Sequence, residues 1–519
     1  MKLTDEQAEI VDAARDLDRP LRIRAFAGTG KTTTLLAIAR TRKTRGARGL
    51  YLAFNRSIAE ESQPKFAGTG VTARTMHALA RRAVGERVRE LIPGRARCVM
   101  DAGVLRRIPV PQGWNMYRLG GAVARTMAGY CASDDPEITR DHAVAALTAM
   151  VGDPETLPPG PARGRASAAT RQLADGVTEM TRDWLAQSEA SGTYTHDMYL
   201  KALERNPALC ARAFAGQQYV MIDEAQDLNP VQSSILEQSG LPLVAVGDSY
   251  QQIYAWRGAE DALDRFGGDE FLLTGSFRFG AAVARAGMDI LASRPDGGPD
   301  QALRGLGPGP IEGWVGPKGG VICRTNAGVI EASLDLSARG LSIHIDNFDH
   351  IVTEVESLDA LRLGRREEIR SQAVQRFASW EEACAEAEYG PDGEMARLVT
   401  LVEDDGLEQI RGLERWMQRA GEPVVTICTG HRSKGLEWPA VRLWSDFTSI
   451  DELHDRFSEA HERGRLARVQ AMEAWNVCYV AATRAMYRLV LSPDLQASLK
   501  AETARRQAAH APGNDGPGV

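Results

Sequence analysis

One short segment near the start of the chain constrains its fold more than any other. Leu21-Arg22-Ile23-Arg24-Ala25 reads as a strand that leads into Phe26-Ala27-Gly28-Thr29-Gly30-Lys31-Thr32-Thr33, and a helical run follows to Arg40. Such a strand–loop–helix turn is a phosphate-binding loop. Gly28 and Gly30 reach backbone conformations closed to other residues, so successive N–H groups can turn inward around a phosphate. The helix that begins at Lys31 adds its positive end. Lys31 would reach the β- and γ-phosphates of ATP, and the Thr32 hydroxyl would bind Mg²⁺. The strict pattern has Gly where this chain has Ala25, a small departure because Ala still fits a tight strand end.

A loop of this kind needs a parallel sheet behind it, and the chain offers two α/β stretches of short apolar strands alternating with helical patterns. The first has strands near Leu21–Ala25, Gly49–Phe54, Tyr219–Ile222 and Leu243–Val246. The second has strands near Phe271–Leu273, Val321–Cys323, Val424–Ile427, Val441–Trp444 and Tyr487–Leu491. The expected organisation is a first lobe from 1–84 and 190–268, with a helical insertion at 85–189. A second lobe follows from 269–349 and 421–500, with a small accessory insertion at 350–420 and a disordered tail at 501–519.

In the first lobe Tyr219-Val220-Met221-Ile222 runs into Asp223-Glu224-Ala225-Gln226-Asp227. An apolar strand ending in two carboxylates is what a hydrolytic ATPase needs beside the phosphate loop. Asp223 can hold Mg²⁺, and Glu224 can orient and deprotonate the attacking water. An acidic cluster after a strand is more often a solvated turn, but pairing with the phosphate loop reverses those odds.

Bulk properties narrow the class. A chain of 519 residues suggests about three or four domains. No apolar run approaches the ~20 residues that span a bilayer, and the polar start Met1-Lys2-Leu3-Thr4-Asp5-Glu6 does not read as a secretory signal. Seven cysteines, none in a C-x-x-C pair, argue against a disulfide framework or zinc site and for a reducing, cytoplasmic setting. A net charge of −7 is unlike a protein that coats duplex by charge alone. Single-strand binding stays open, because stacking on aromatics supplies much of its affinity.

Further motifs make the pattern specific. Leu243 to Ala259, containing Gly247-Asp248-Ser249-Tyr250-Gln251-Gln252-Ile253-Tyr254-Ala255-Trp256-Arg257, resembles motif III of the UvrD/Rep/PcrA helicases of superfamily 1. Leu52-Ala53-Phe54-Asn55 and Thr75-Met76-His77 resemble motifs Ia and Ib, and Ser276-Phe277-Arg278 resembles motif IV, with Cys323-Arg324-Thr325-Asn326-Ala327 the segment after it. Thr429 to Trp438, with His431, Lys434 and Glu437, resembles motif V, and Tyr479 to Ala485, with Arg484, resembles motif VI. Within that family the sequence most resembles the F-box DNA helicase branch and its prokaryotic or phage relatives, on Leu52–Ala59, Thr195–Lys201, Ser276–Gly280 and Trp475-Asn476. No F-box precedes the core, so ubiquitin-ligase roles are not expected to carry over.

The resemblance implies two RecA-like P-loop NTPase lobes with helical insertions, and ATP with Mg²⁺ as cofactors. It implies that Gln7 reads adenine, that Ala27, Gly28, Thr29, Gly30, Lys31, Thr32 and Thr33 hold the phosphates, that Phe277 stacks on the base, and that Glu437 contacts the ribose. Arg278 and Arg484 would be arginine fingers and Gln251 the phosphate sensor. Phe54, Asn55, Thr75, His77, Tyr254, Trp256, Arg257, Thr325, Asn326, His431 and Lys434 would meet the strand. The expected activity is an ATP-dependent translocase and helicase on single-stranded DNA and junctions, with 3′→5′ polarity. Partners would be repair, recombination or defence proteins, and no membrane. Three matters stay open: DNA against RNA, unwinding against stripping proteins from single strands, and motor against regulatory ATPase subunit.

Overall fold

The computed structural model describes residues 3–85, 89–90, 114, 116–151, 161–254, 261–309, 319–375, 377, 379–389, 394–404, 406–462 and 465–509. The chain divides into two compact units, Met1–Ala25 with Gly30–Leu273, and Phe26–Thr29 with Thr274–Val519. Among the described residues no helix is long and apolar enough to cross a membrane.

Among the described residues the first unit holds eight strands: β1 (Leu21–Ala25), β2 (Gly49–Ala53), β3 (Val71–Thr75), β4 (Arg89–Glu90), β5 (Thr193–Tyr194), β6 (Tyr219–Ile222), β7 (Leu243–Gly247) and β8 (Asp269–Leu273). Six of them form one sheet in the order β3-β2-β6-β7-β1-β8, with every pairing parallel. The central strands β2, β6 and β7 are buried along their whole length, as parallel strands covered on both faces must be. The sheet order brings the end of β1, where the phosphate loop begins, beside the end of β7, and sets β6 next to β7.

The strand read near Phe271–Leu273 as part of the second set instead closes the first sheet. β8 pairs with β1 from Leu21↔Asp269 to Ala25↔Leu273. Its Glu270 meets Arg24 at 2.9 Å and Arg22 at 3.5 Å, a cross-strand charge match at a sheet edge that chain order does not reveal. β3 was not expected as a strand either. Its Val-Thr-Ala-Arg-Thr sequence is short and polar, and pairing with β2 supplies what the pattern lacks.

Among the described helices between β3 and β6, Met116–Ala132, Arg140–Val151 and Pro161–Ser191 form a cluster of their own. They pack on one another around Val123, Met127, Tyr130, Leu147, Leu173, Val177 and Trp184. Lys201, fully buried, fastens them to the helix Met198–Glu204. Its ammonium donates to Ser133 O at 3.1 Å and Asp135 O at 2.6 Å and pairs with Glu204 at 3.1 Å. A buried charge needs such full satisfaction.

The second unit carries a two-stranded pair, β9 (Gly275–Ser276) with β10 (Arg304–Gly305), and five further strands: β11 (Gly319–Cys323), β12 (Ile343–Ile345), β13 (Val425–Thr429), β14 (Trp438–Leu443) and β15 (Ala485–Val490). The five form a parallel sheet in the order β12-β13-β11-β14-β15. The stretch 350–420, expected as an accessory insertion, shares the core of this sheet. Val355 and Leu358, Leu398, and Ile410 and Leu413, from three of its helices, join Val321, Ile343 and Ile427 in one apolar cluster. The helix Pro493–Ala509 runs into the stretch expected to be disordered. Leu495 and Leu499 bury against the unit, and Ser498 Oγ accepts from Ile450 N at 2.9 Å. Residues 510–519 lie outside the described residues.

Candidate active site

β1 delivers the chain into a loop whose Gly28 and Gly30 have φ of 74° and 83°, a region that only glycine enters at little cost. Gly30 caps the helix Lys31–Thr44 without a side-chain bond, so the first-turn N–H groups are available to an anion. Thr29 is buried and its hydroxyl donates to Phe26 O at 2.9 Å, which fixes the loop from inside. Within the second unit, Phe277 N donates to Gly28 O at 2.8 Å and the Tyr479 hydroxyl accepts from Ala27 N at 3.2 Å.

The end of β6 brings both carboxylates to Lys31 and Thr32. Lys31 Nζ lies 2.6 Å from Glu224 Oε1, and Thr32 Oγ1 lies 3.4 Å from Asp223 Oδ2. The Tyr51 hydroxyl donates to the same Asp223 oxygen at 2.8 Å, a partner that sequence reading missed. Burial alone would depress the Lys31 ammonium, but Glu224, Asp223 and Asp248 together hold it above its ordinary value. Burial and then the neighbouring Glu224 push the Asp223 carboxyl up, against the pull of Lys31. Two adjacent oxygen donors at the end of a strand, with a carboxylate held at such electrostatic cost, fit a small hard cation. Glu224 itself has φ 55°, a strained backbone for a non-glycine residue of the kind that clusters at functional sites.

A polar chain leads on from Glu224. Gln226 Nε2 donates to Glu224 Oε2 at 2.6 Å, while Gln226 Oε1 accepts from Asp248 N at 3.0 Å. Gln251 Nε2 donates to Asp248 Oδ2 at 2.7 Å. Neither Gln226 nor Asp248 was singled out in the sequence. The signal was Gly247, where a Cβ would lie 2.5 Å from Gln226 Oε1, so the strand end must be bare for the relay to pass. Burial raises the Asp248 carboxyl to about 6, with Lys31 and Gln251 opposing.

Gln7, the third residue of the helix Asp5–Ala13, closes a capping box with Thr4. It accepts from Thr4 N at 3.1 Å, and Thr4 Oγ1 accepts from Gln7 N at 3.2 Å. Its Nε2 is buried with no partner among the described residues, an orphan donor that suits the ring nitrogen of a purine. Thr33 follows in the first turn of the phosphate-loop helix.

In the second unit Arg278 pairs with Glu437 at 2.9 Å and donates to Thr483 O at 3.2 Å. Arg484, almost fully buried, donates to Val480 O at 2.9 Å and Leu436 O at 3.5 Å. Phe277 is 46% exposed, an open flat face next to Arg278 in sequence.

The residues expected at the strand are placed in several different settings. Phe54 and Tyr254 stack on each other, with centroids 5.5 Å apart and planes 14° apart. Asn55, Thr75 and Thr325 each cap a helix, accepting from Ile58 N, Ala78 N and Gly328 N. Asn55 and Thr75 carry N–H or O–H donors beyond the cap, whereas Thr325 gives its hydroxyl proton to Asp446 at 2.9 Å. Asn326 Nδ2 donates to Glu354 at 3.3 Å, His431 faces Glu473 at 3.5 Å, and Lys434 ends the short helix Gly430–Ser433. Trp256 and Arg257 lie outside the described residues.

His77 stacks on His196 at 4.1 Å with planes 12° apart and meets Asp197 at 3.3 Å. Their ligating atoms lie within 4.8 Å of one another. A bound ion lies near the plane of each imidazole that ligates it, and two nearly parallel stacked rings cannot both meet that condition. The trio is a stacked imidazole pair with one ring nitrogen against a carboxylate.

Comparison with known proteins decides the family. Residues 3–263 match the UvrD/REP helicase N-terminal domain, and residues 161–495 match the UvrD-like helicase C-terminal domain. The chain belongs to the UvrD/REP helicase family. Among its relatives, F-box DNA helicase 1 of Gallus gallus is 28% identical over 96% of this chain and 49% of its own length. F-box DNA helicase protein 1 of Schizosaccharomyces pombe is 25% identical over 95% of this chain and 58% of its own length. The RecBCD enzyme subunit RecB of Mycolicibacterium smegmatis is 33% identical, over 32% of this chain and 16% of its own length. This UvrD/REP-family chain thus spans about half the length of the F-box DNA helicases it matches. The phosphate loop, the carboxylate pair and the motif III relay described above all fall inside the matched N-terminal domain.

Proposed function

We propose that this chain is an ATP-driven motor that moves 3′→5′ along single-stranded DNA and separates duplex in its path. The observation that carries the proposal is the connected polar chain Lys31–Glu224–Gln226–Asp248–Gln251. It ends three residues before Tyr254, whose ring stacks on exposed Phe54. A nucleotide-sensing relay that ends at an aromatic platform can turn hydrolysis into a change of grip on a strand.

ATP would lie on the Gly28–Lys31 loop with its base near Gln7, and Thr32 and Asp223 would hold Mg²⁺. The ion, when bound, neutralises charge on the phosphates. Lys31 exchanges Glu224 for a phosphate. Released, Glu224 orients the attacking water and takes its proton. Arg278 and Arg484 serve as arginine fingers for charge developing on the γ-phosphate. Gln251 registers loss of that phosphate and, through the short segment to Tyr254, alters the stacking surface. The 3′→5′ direction draws support from Ile253-Tyr254-Ala255-Trp256-Arg257, which resembles the 3′→5′ branch of the superfamily.

The test is steady-state ATP hydrolysis with and without an oligothymidylate, followed by unwinding of duplexes with 3′ or 5′ tails. Strong stimulation by the strand with unwinding only from 3′ tails is the expected outcome. Hydrolysis that ignores the strand would overturn the motor, and unwinding from 5′ tails would overturn the polarity. Stimulated hydrolysis with no unwinding on either tail would leave a translocase that strips single strands.

A further inference from the structure

Two segments of the second unit have no assigned role, the helix Glu394–Glu403 within 350–420 and the helix Ile450–Glu462 that follows β14. They meet at one cavity. A polar hollow of about 300 Å³ is lined by Arg324 and Thr325 after β11, by Arg397 of the first helix, by Arg456 of the second, and by Asp446 and Thr448 between β14 and that helix. Three guanidinium groups from three separate stretches of chain converge on one space.

Asp446 shows that the hollow is built for a ligand. It is 3% exposed, and its Oδ2 accepts from Arg324 N, Thr325 N and Thr325 Oγ1, each at 2.9 Å. Its Oδ1 and the Thr448 hydroxyl are buried and have no partner among the described residues. An unpaired buried carboxylate oxygen is costly unless something donates to it. The arginines are held in place by carboxylates, Arg397 by Glu331 at 2.9 Å and Arg456 by Glu452 at 2.6 Å. A guanidinium has five N–H donors, so such a pair leaves others for a phosphate. Carboxylates within the lining balance the arginines, so the hollow is no general sink for anions. It suits a ligand with a phosphate at one end and N–H or O–H donors at the other, which is a nucleotide.

We infer that this cavity holds one nucleotide of the single strand, its phosphate on Arg324, Arg397 and Arg456 and a base or sugar donor on Asp446 Oδ1. The inference rests on the strand-binding reading above and extends the track from Thr325 onto two segments that the sequence left without a role. The same chemistry would take a free nucleoside monophosphate, and the test separates the two sources.

Binding of a labelled oligothymidylate is measured by anisotropy across a salt series for the full chain and for Arg397→Gln, Arg456→Gln and the double variant. Each lost phosphate contact lowers the slope of log K against log salt by about one and weakens binding about tenfold. Arg397→Lys and Arg456→Lys, which keep the charge, are expected to retain the slope. An iodinated oligothymidylate photocrosslinked to the unaltered chain should label the 445–456 peptide, a readout that does not depend on any variant folding. Unchanged slopes together with no crosslink in that peptide, while the unaltered chain binds the strand, would overturn the inference and leave the motor reading intact. No strand binding by the unaltered chain would overturn both. Thymidine monophosphate that saturates the chain without competing with the oligothymidylate, and is lost in the double variant, would assign the cavity to a free nucleotide.

Discussion

Lys31 Nζ and Glu224 Oε1 lie 2.6 Å apart, so the phosphate-loop lysine has as its counter-ion the carboxylate proposed above to orient the water. The pair is largely shielded from water, with 13% and 20% of the two side chains exposed. In the proposed mechanism a phosphate arriving at Lys31 would compete for the same ammonium and release Glu224 to the attacking water. Glu224→Gln should therefore lower ATP turnover by roughly 10²–10⁴-fold, the usual worth of a general base, while nucleotide binding holds or tightens. Lys31→Ala should abolish binding itself. Parallel hydrolysis assays and titrations with a fluorescent ATP analogue separate the two, and a Glu224→Gln protein that turns over at the normal rate would refute the assignment.

Asp248 gives the site a pH dependence. Its folded carboxyl is raised by burial to about 6 from an ordinary 3.8, so the folded state holds a proton that the unfolded chain has released. The sign follows: stability contributed by this group is greatest below pH 4 and is lost as pH climbs from about 4 to about 6. At ~1.4 kcal/mol per pH unit, the loss amounts to about 3 kcal/mol. Asp248→Asn should flatten that part of the stability–pH profile, seen as a smaller fall in melting temperature between pH 4 and pH 7 than in the unaltered chain. A profile unchanged by the substitution would place the titration elsewhere.

Phe54 and Tyr254 come from opposite ends of the first unit's sequence and meet ring to ring. If they form the platform for bases, Phe54→Ala and Tyr254→Ala should each weaken single-strand binding by about 1–3 kcal/mol. The double variant should lose less than the sum, because each ring also positions the other. Anisotropy with an oligothymidylate measures all three, and full additivity would show that the rings act separately.

Local chemistry was legible and long-range pairing was not. The phosphate loop, the Asp223–Glu224 pair and Gln251 could be read because strand, turn and reactive side chain are contiguous, and the structure brings Lys31, Thr32, Asp223 and Glu224 together. β8 was recognised from its apolar Phe271–Leu273 but assigned to the wrong sheet, because chain order sets it after the first lobe's other strands and does not show its pairing. It belongs to the first sheet through partners 248 residues away in the chain, as Leu21↔Asp269 shows. Tyr51 was overlooked because a tyrosine inside an apolar strand reads as core. Its hydroxyl reaches Asp223 only because β2 pairs with β6. Asn55, Thr75 and Thr325 were read for the strand alone, yet each also caps a helix. A substitution at these three would disturb fold and binding together.

Gly247 offers the sharpest separation of relay from scaffold. A Cβ there would approach Gln226 Oε1 to 2.5 Å and the Gln226 and Ala225 backbone nitrogens to 3.1 and 3.2 Å. The nearest obstacle is the end of a side chain, which can swing aside, so Gly247→Ala should cost only about 1–3 kcal/mol of stability, as overpacking does. Swinging aside, however, takes Gln226 away from Asp248 N and from Glu224 Oε2, the two bonds that join Glu224 to the Asp248–Gln251 pair proposed to sense the phosphate. The expected signature is a fall in strand-stimulated kcat with little change in KM for ATP, since Lys31, Thr32 and Asp223 are untouched. Gln226→Ala should reproduce that fall without the crowding. Normal stimulated turnover in both variants would show that Gln226 packs the strand end without carrying the signal, and the coupling would then have to run through another part of motif III.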